Sequence, residues 1–196
     1  MAVHCYLTHP QVRIDPSVPV PEWGLSDIGR ARMRALAEAG WVRAFRRIVA
    51  SQEAKAREAA AILAQALGLP VEVRAGLHEN DRSATGFLPP EEFERVADEF
   101  FACPELGVRG WETAAAAQAR IVAGVLGCLA EAPDTPTLFV GHGGVGTLLK
   151  CRLAGRAIDR AEDQGPGGGG RYYRFRLAPD ELLHDWRAIE QAPPDA

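Results

Sequence analysis

A three-layer α/β/α sandwich with a mostly parallel central sheet is the fold class this sequence predicts, and three features predict it. Short runs rich in β-branched and aromatic residues alternate with amphipathic stretches of helical period. Good N-caps open those helices and glycines close them. The chain has 196 residues and is 47% hydrophobic, enough for one compact domain with a full-sized core.

Val3-His4-Cys5-Tyr6-Leu7-Thr8 predicts the first strand, and His9-Pro10 ends it because proline lacks the N–H that a ladder needs. A loop carrying Pro16, Pro19 and Pro21 leads to Ser26, the expected N-cap of a helix on which Ile28, Ala31, Ala35, Leu36 and Ala39 recur until Gly40. Arg47-Ile48-Val49-Ala50 predicts the second strand. Ser51 is expected to cap a helix through Leu67, Gly68 to close it, and Val71-Glu72-Val73-Arg74 to form the third strand. The segment from Ala75 to Trp111 is richer in Gly, Pro and charge, with a helix from Glu91 to Ala102 behind Pro90; it reads as a lid-like insertion within a single domain spanning 1–196. Thr113 starts another helix, Thr137-Leu138-Phe139-Val140 is the most apolar strand, and Val145 to Ala154 is a helix stopped by Gly155. After the run Gly165 to Gly170, expected as a flexible connection, two closing strands (Tyr172 to Leu177 and Leu182 to Trp186) are expected to face each other across Ala178-Pro179-Asp180.

Composition excludes several classes of function. Net charge is -4, and the basic residues are scattered rather than gathered in a block, which is no footprint for nucleic acid. The four cysteines are widely spaced without a C-x-x-C pair, so neither a metal site nor a disulfide framework is expected, and a reducing compartment fits. The apolar stretch Thr113 to Ala132 contains Gln118 and Arg120 and reads as a buried helix rather than a membrane span. With no signal-peptide pattern at Val3, a cytoplasmic protein is expected.

In open α/β sheets the ligand crevice lies beyond the carboxyl ends of the parallel strands. The first strand delivers Thr8 and His9 there, the second Ser51 and Lys55, the third leads to Glu79, and the fourth delivers His142 with Gly143-Gly144. These are the groups of phosphoryl transfer: an imidazole nucleophile, a second imidazole and a lysine for the oxygens, amides at a helix N-terminus, and a carboxylic acid for the leaving group. Arg57 is a competing cation and Asp81 a competing acid.

This layout resembles the phosphoglycerate-mutase-like histidine phosphatase superfamily. Its members show Arg-His-Gly after the first strand, Leu-Ser/Thr-x-x-Gly at a helix start, Ser-Pro-x-x-Arg-x-x-x-Thr-Ala, an acid before the lid, and His-Gly-Gly near the fourth strand. The corresponding residues here are Thr8-His9-Pro10, Leu25-Ser26-Asp27-Ile28-Gly29, Ser51 through Ala60, Leu77-His78-Glu79 and His142-Gly143-Gly144. The resemblance implies a nucleophilic His9, a second histidine in His142 and an acid in Glu79, with no cofactor and a small phosphorylated substrate. It also exposes departures. Thr8 replaces an arginine, Pro10 a glycine, and Lys55 the helix arginine, so the bidentate guanidinium grip on phosphate is missing. Thr8, Lys55, Gly143 and Arg13, which lies four residues after His9, are the candidates to hold phosphate.

Three functions follow. The first is a phosphatase acting through phosphohistidine on His9, with a mutase as a variant. The second is a weak or inactive relative that binds a phosphorylated ligand or protein. The third is a dinucleotide-binding protein, because Gly141-His142-Gly143-Gly144-Val145-Gly146 satisfies G-x-G-x-x-G between a strand and a helix, with Asp163 at about the right offset for the acidic residue.

Overall fold

Alternate residues of each central strand face opposite sides of the sheet, and this two-residue period builds the molecule. In the computed structural model, which describes residues 2–177 and 180–194, the strands are β1 His4–Thr8, β2 Arg47–Ser51, β3 Val71–Arg74, β4 Thr137–Gly141, β5 Arg171–Arg176, β6 Glu181–Leu182 and β7 Arg187–Ala188. The helices are α1 Asp27–Glu38, α2 Ala54–Leu67, α3 Pro90–Ala102, α4 Ala114–Glu131 and α5 Gly143–Leu153. Sheet order is β3-β2-β4-β1-β5-β6, with β7 also paired to β5. The pairs among β1 to β4 are parallel, and those of β5 with β1, β6 and β7 antiparallel.

Cys5, Leu7, Ile48, Ala50, Leu138 and Val140 pack with Met33 and Leu36 of α1 and Ala56, Ala60 and Leu63 of α2. The intervening Tyr6, Val49 and Phe139 pack with Phe100 of α3, Ile121 and Val125 of α4, and Val145 and Leu148 of α5 on the other face. Two apolar clusters on two faces of one sheet make the three-layer sandwich. Helix α4 is long and apolar enough to cross a membrane, yet it sets Ala114, Ala117, Ile121, Val125, Cys128 and Leu129 into this core. Helix α3 likewise buries Val96, Ala97, Phe100 and Phe101, so the expected lid carries core as well as cover. At its tip Phe87 lies 5.6 Å from Trp23 of the β1–α1 connection, ring to ring.

The caps at Ser26 and Thr113 are as expected, each hydroxyl accepting an N–H at 3.1 Å. Gly68 closes α2 in the left-handed conformation. Three local expectations are corrected. Ser51 does not cap α2: it ends β2, and Glu53 stands at the N-cap without a side-chain capping bond. Helix α5 starts at Gly143, directly after His142. The strand expected from Leu182 to Trp186 is broken into β6 and β7, because Asp185 turns inward to Lys150 Nζ at 2.5 Å and Trp186 packs on Tyr173 at 4.7 Å. Of the turn expected between the closing strands, Ala178 and Pro179 lie outside the described residues.

The glycine run is no free tether. Gly170 N–H donates to His9 O (3.1 Å), Gln11 Nε2 to Gly167 O (2.9 Å), and Arg32 to Gly169 O and Gly170 O (3.1 and 3.2 Å). It forms a strap bonded to the loop that carries His9.

Candidate active site

β1 and β4 are neighbours, with Thr8 opposite Gly141, so the residues that follow them meet. His9 N–H donates to Gly141 O at 3.0 Å, and the rings of His9 and His142 stand edge to face with centroids 5.2 Å apart. Pro10 does more than end a strand. Its carbonyl lies 2.9 Å from His9 Nδ1 and accepts from it in the Nδ1–H tautomer, which leaves the Nε2 lone pair free.

His142 is fully buried. Tyr6 fixes its backbone, accepting from His142 N–H at 3.1 Å and donating to His142 O at 3.2 Å. Its Nε2 lies 2.8 Å from Ser51 Oγ and 3.5 Å from Glu53 Oε1, while Nδ1 is buried without a hydrogen-bond partner.

Glu79 lies over the start of α5, where its carboxylate accepts from Gly144 N–H at 3.0 Å and Val145 N–H at 2.9 Å. A carboxylate there meets both orphan amides and the helix dipole. Burial alone would raise its pKa, but the Arg82 charge, His142 and the N–H groups of Asn80 and Gly144 outweigh that and hold it below the usual range. The Arg82 guanidinium lies over the rings of Phe93 (5.0 Å) and Trp111 (5.6 Å).

The groups expected to hold phosphate are engaged elsewhere. The Thr8 hydroxyl lies 2.7 Å from Gln164 Oε1 and accepts Arg171 N–H at 3.0 Å. The Lys55 ammonium is buried and donates to Glu53 and to Val20 O (2.9 Å). Gly143 opens α5 beside the Gln164 amide, 2.1 Å from where a Cβ would sit. Arg13 is exposed in the loop and acts on Asp15, while Arg57 and Asp81 are also exposed.

Glu53, Tyr6 and Gln164 are site residues that reading the sequence missed. Glu53 is the consequential one: its carboxylate meets Lys55, His142 and Glu79 N–H (2.8 Å) together. Burial raises its pKa, yet His142 and Lys55 overcome this and bring it to about 2. The only sequence signal was an acid two residues before the lysine that replaces the family arginine.

Burial brings His9 to about 3, with His142 and Lys55 pushing the same way. It brings His142 to about 4 despite Glu53 and Glu79. Both values lie below the unfolded 6.5, so between these limits the unfolded chain binds more protons. The stability from these neutral histidines is complete above the unfolded value and lost on acidification. The unfolding free energy from urea titrations is expected to drop steeply below about pH 6, by roughly 2–3 kcal/mol per pH unit for the pair; a flat profile down to about pH 5 contradicts this.

The G-x-G-x-x-G run has packing reasons of its own. A Cβ at Gly141 or Gly146 would stand 2.3 or 2.4 Å from the Tyr6 side chain, and one at Gly144 2.7 Å from Glu79. Asp163 is engaged locally, accepting from Thr147 Oγ1 (3.0 Å) and Gln164 N–H (2.8 Å). With Glu79 on the α5 amides and an antiparallel strand following, a dinucleotide pyrophosphate has no open helix terminus here.

The structure is similar to three solved ones. A mycobacterial glucosyl-3-phosphoglycerate phosphatase in complex with inorganic phosphate superposes with a TM-score of 0.76 at 21% identity, covering 98% of this chain and 100% of that one. YhfR of Bacillus stearothermophilus gives 0.77 at 18%, covering 98% of each chain. The alpha-ribazole phosphatase of Shigella flexneri gives 0.69 at 14%, covering 96% of each. No curated protein sequence matches. The family model of the histidine phosphatase superfamily, branch 1, matches residues 16–180, beginning after Thr8-His9-Pro10. On that match over most of its length, the chain belongs to the histidine phosphatase superfamily.

Proposed function

We propose that the protein is a phosphatase that hydrolyses a small phosphate monoester through a phosphohistidine on His9. The observation that carries this reading is the Pro10 carbonyl on His9 Nδ1 beside His142, an arrangement that leaves a neutral imidazole with Nε2 available for in-line attack. His142, whose Nδ1 is buried without a hydrogen-bond partner, receives the phosphoryl oxygens. Glu79 protonates the leaving alkoxide, then serves as base for the water that hydrolyses the phosphohistidine.

A second reading, a weak or inactive relative that binds a phosphorylated ligand or protein, is favoured by the ion pair that engages Lys55 and by the Thr8 hydroxyl bonded to Gln164. It predicts phosphate binding without a covalent intermediate. Incubation with a radiolabelled phosphate monoester and an alkaline quench separates the two. Label on the protein that is stable to base and lost in acid is the expected result, and bound phosphate with no covalent label at any time point favours the second reading.

A further inference from the structure

A buried carboxylate, Glu53, and a partly buried one, Glu79, flank the second histidine, and this charge pattern bears on which ionic form of a phosphate the pocket accepts. Glu53 and Lys55 form one ion pair inside the protein. Glu79 is the other carboxylate, with the Arg82 charge acting on it. The further groups around them are His9 after β1, His142 after β4, Tyr6 in β1 and Arg120 of α4, whose guanidinium is paired with Glu112 at 2.7 Å. A doubly ionised phosphate placed against His142 meets Glu53 3.5 Å behind the imidazole and finds Lys55 already neutralised. Like charges this close in a desolvated site disfavour full ionisation of all of them.

We propose that the pocket binds its phosphate monoester as the monoanion, that Glu53 sets this preference by cancelling Lys55, and that the proton brought by the ligand is the one Glu79 returns to the leaving group. The inference rests on the phosphatase reading and deepens it. On the start of α5 the Glu79 carboxylate is an acceptor for two helix amides and has no proton to give. The P–OH of the bound monoanion donates a hydrogen bond to the Glu79 carboxylate. As the His9 Nε2 lone pair forms the N–P bond and the P–O bond to the alcohol breaks, that proton passes through Glu79 to the departing alkoxide. Charge and protons balance without a further co-reactant. Glu53 touches no reacting atom here: it is a positioning and specificity-determining residue acting through Lys55 and His142.

The test is calorimetric titration of inorganic phosphate into the whole protein between about pH 6 and 8.5, in two buffers of different ionisation enthalpy. Wild-type affinity is expected to fall about tenfold per pH unit above the second pKa of the ligand, with uptake of about one proton per phosphate bound. In Glu53→Gln, where Lys55 is released, the slope is expected to flatten and affinity at pH 8 to rise about tenfold or more. Wild-type affinity that is flat or rises with pH, or no proton uptake, overturns the inference even where the phosphohistidine is found, and so does a folded Glu53→Gln with the wild-type slope. If that variant fails to fold, the wild-type profile decides alone. No phosphate binding at any pH overturns the inference and the phosphatase reading together.

Discussion

His9→Ala is expected to abolish turnover, by on the order of 10⁴- to 10⁶-fold in kcat, and to abolish covalent labelling with it. The size follows from what the side chain supplies. A nucleophile turns one difficult displacement into two easier ones, and among the described residues no other imidazole stands beside His142. The fold should survive, because His9 is partly exposed, ends no helix, and keeps its main-chain bonds to Gly141 and Gly170 when the ring is removed. Thermal unfolding within a few degrees of wild type, with kcat lost and phosphate binding reduced only severalfold, is the expected pattern. Label still reaching the protein in this variant would transfer the nucleophile to another group and sink the assignment.

The second large effect comes from a residue without chemistry. Gly169→Ala is expected to lower kcat by about 100-fold with little change in the pH profile. Gly169 has φ of +81°, and a Cβ there would stand 2.2 Å from the carbonyl oxygen of His9, a backbone atom that cannot move aside alone. Relief requires shifting the strap or the peptide that aims the nucleophile, and a displacement of about 1 Å costs about that much in rate. Gly165→Ala is the control: its φ is similarly positive, at +77°, but nothing lies within 4 Å of the added methyl. It should cost about 1–2 kcal/mol of stability and leave kcat near wild type. Equal losses of kcat in the two variants would reduce the strap to a general stability element.

The strap also shows where reading the sequence fell short. Gly165 to Gly170 has the composition of a tether, yet the absence of side chains is what lets its peptide groups reach Gln11, Arg32 and His9. Composition reports freedom in the unfolded chain and says nothing of long-range hydrogen bonds. The break between β6 and β7 was hidden similarly, since Leu182 to Trp186 has strand-like residues and it is the long-range contacts of Asp185 with Lys150 and Trp186 with Tyr173 that interrupt them. The central strands were legible because each side chain's face is decided by local period and burial, and the helix starts at Ser26 and Thr113 because a cap is a contact across three residues.

At the site the division has the same cause. The sequence by itself determined that two histidines, His9 and His142, leave the carboxyl ends of two strands of one parallel sheet, since local breakers end those strands and the strand–helix alternation orders them. It also placed Thr8 and Lys55 where the family resemblance leads one to expect arginines. Only the tertiary structure decided what the remaining charges do: Lys55 against Glu53, Glu79 on the amides of α5, Thr8 with Gln164. Charges two residues apart read as a solvated pair on a helix start. Burial between β2, β4 and the loop after β3 removes the water, and in that setting each carboxylate must take the nearest donor, wherever in the chain it originates.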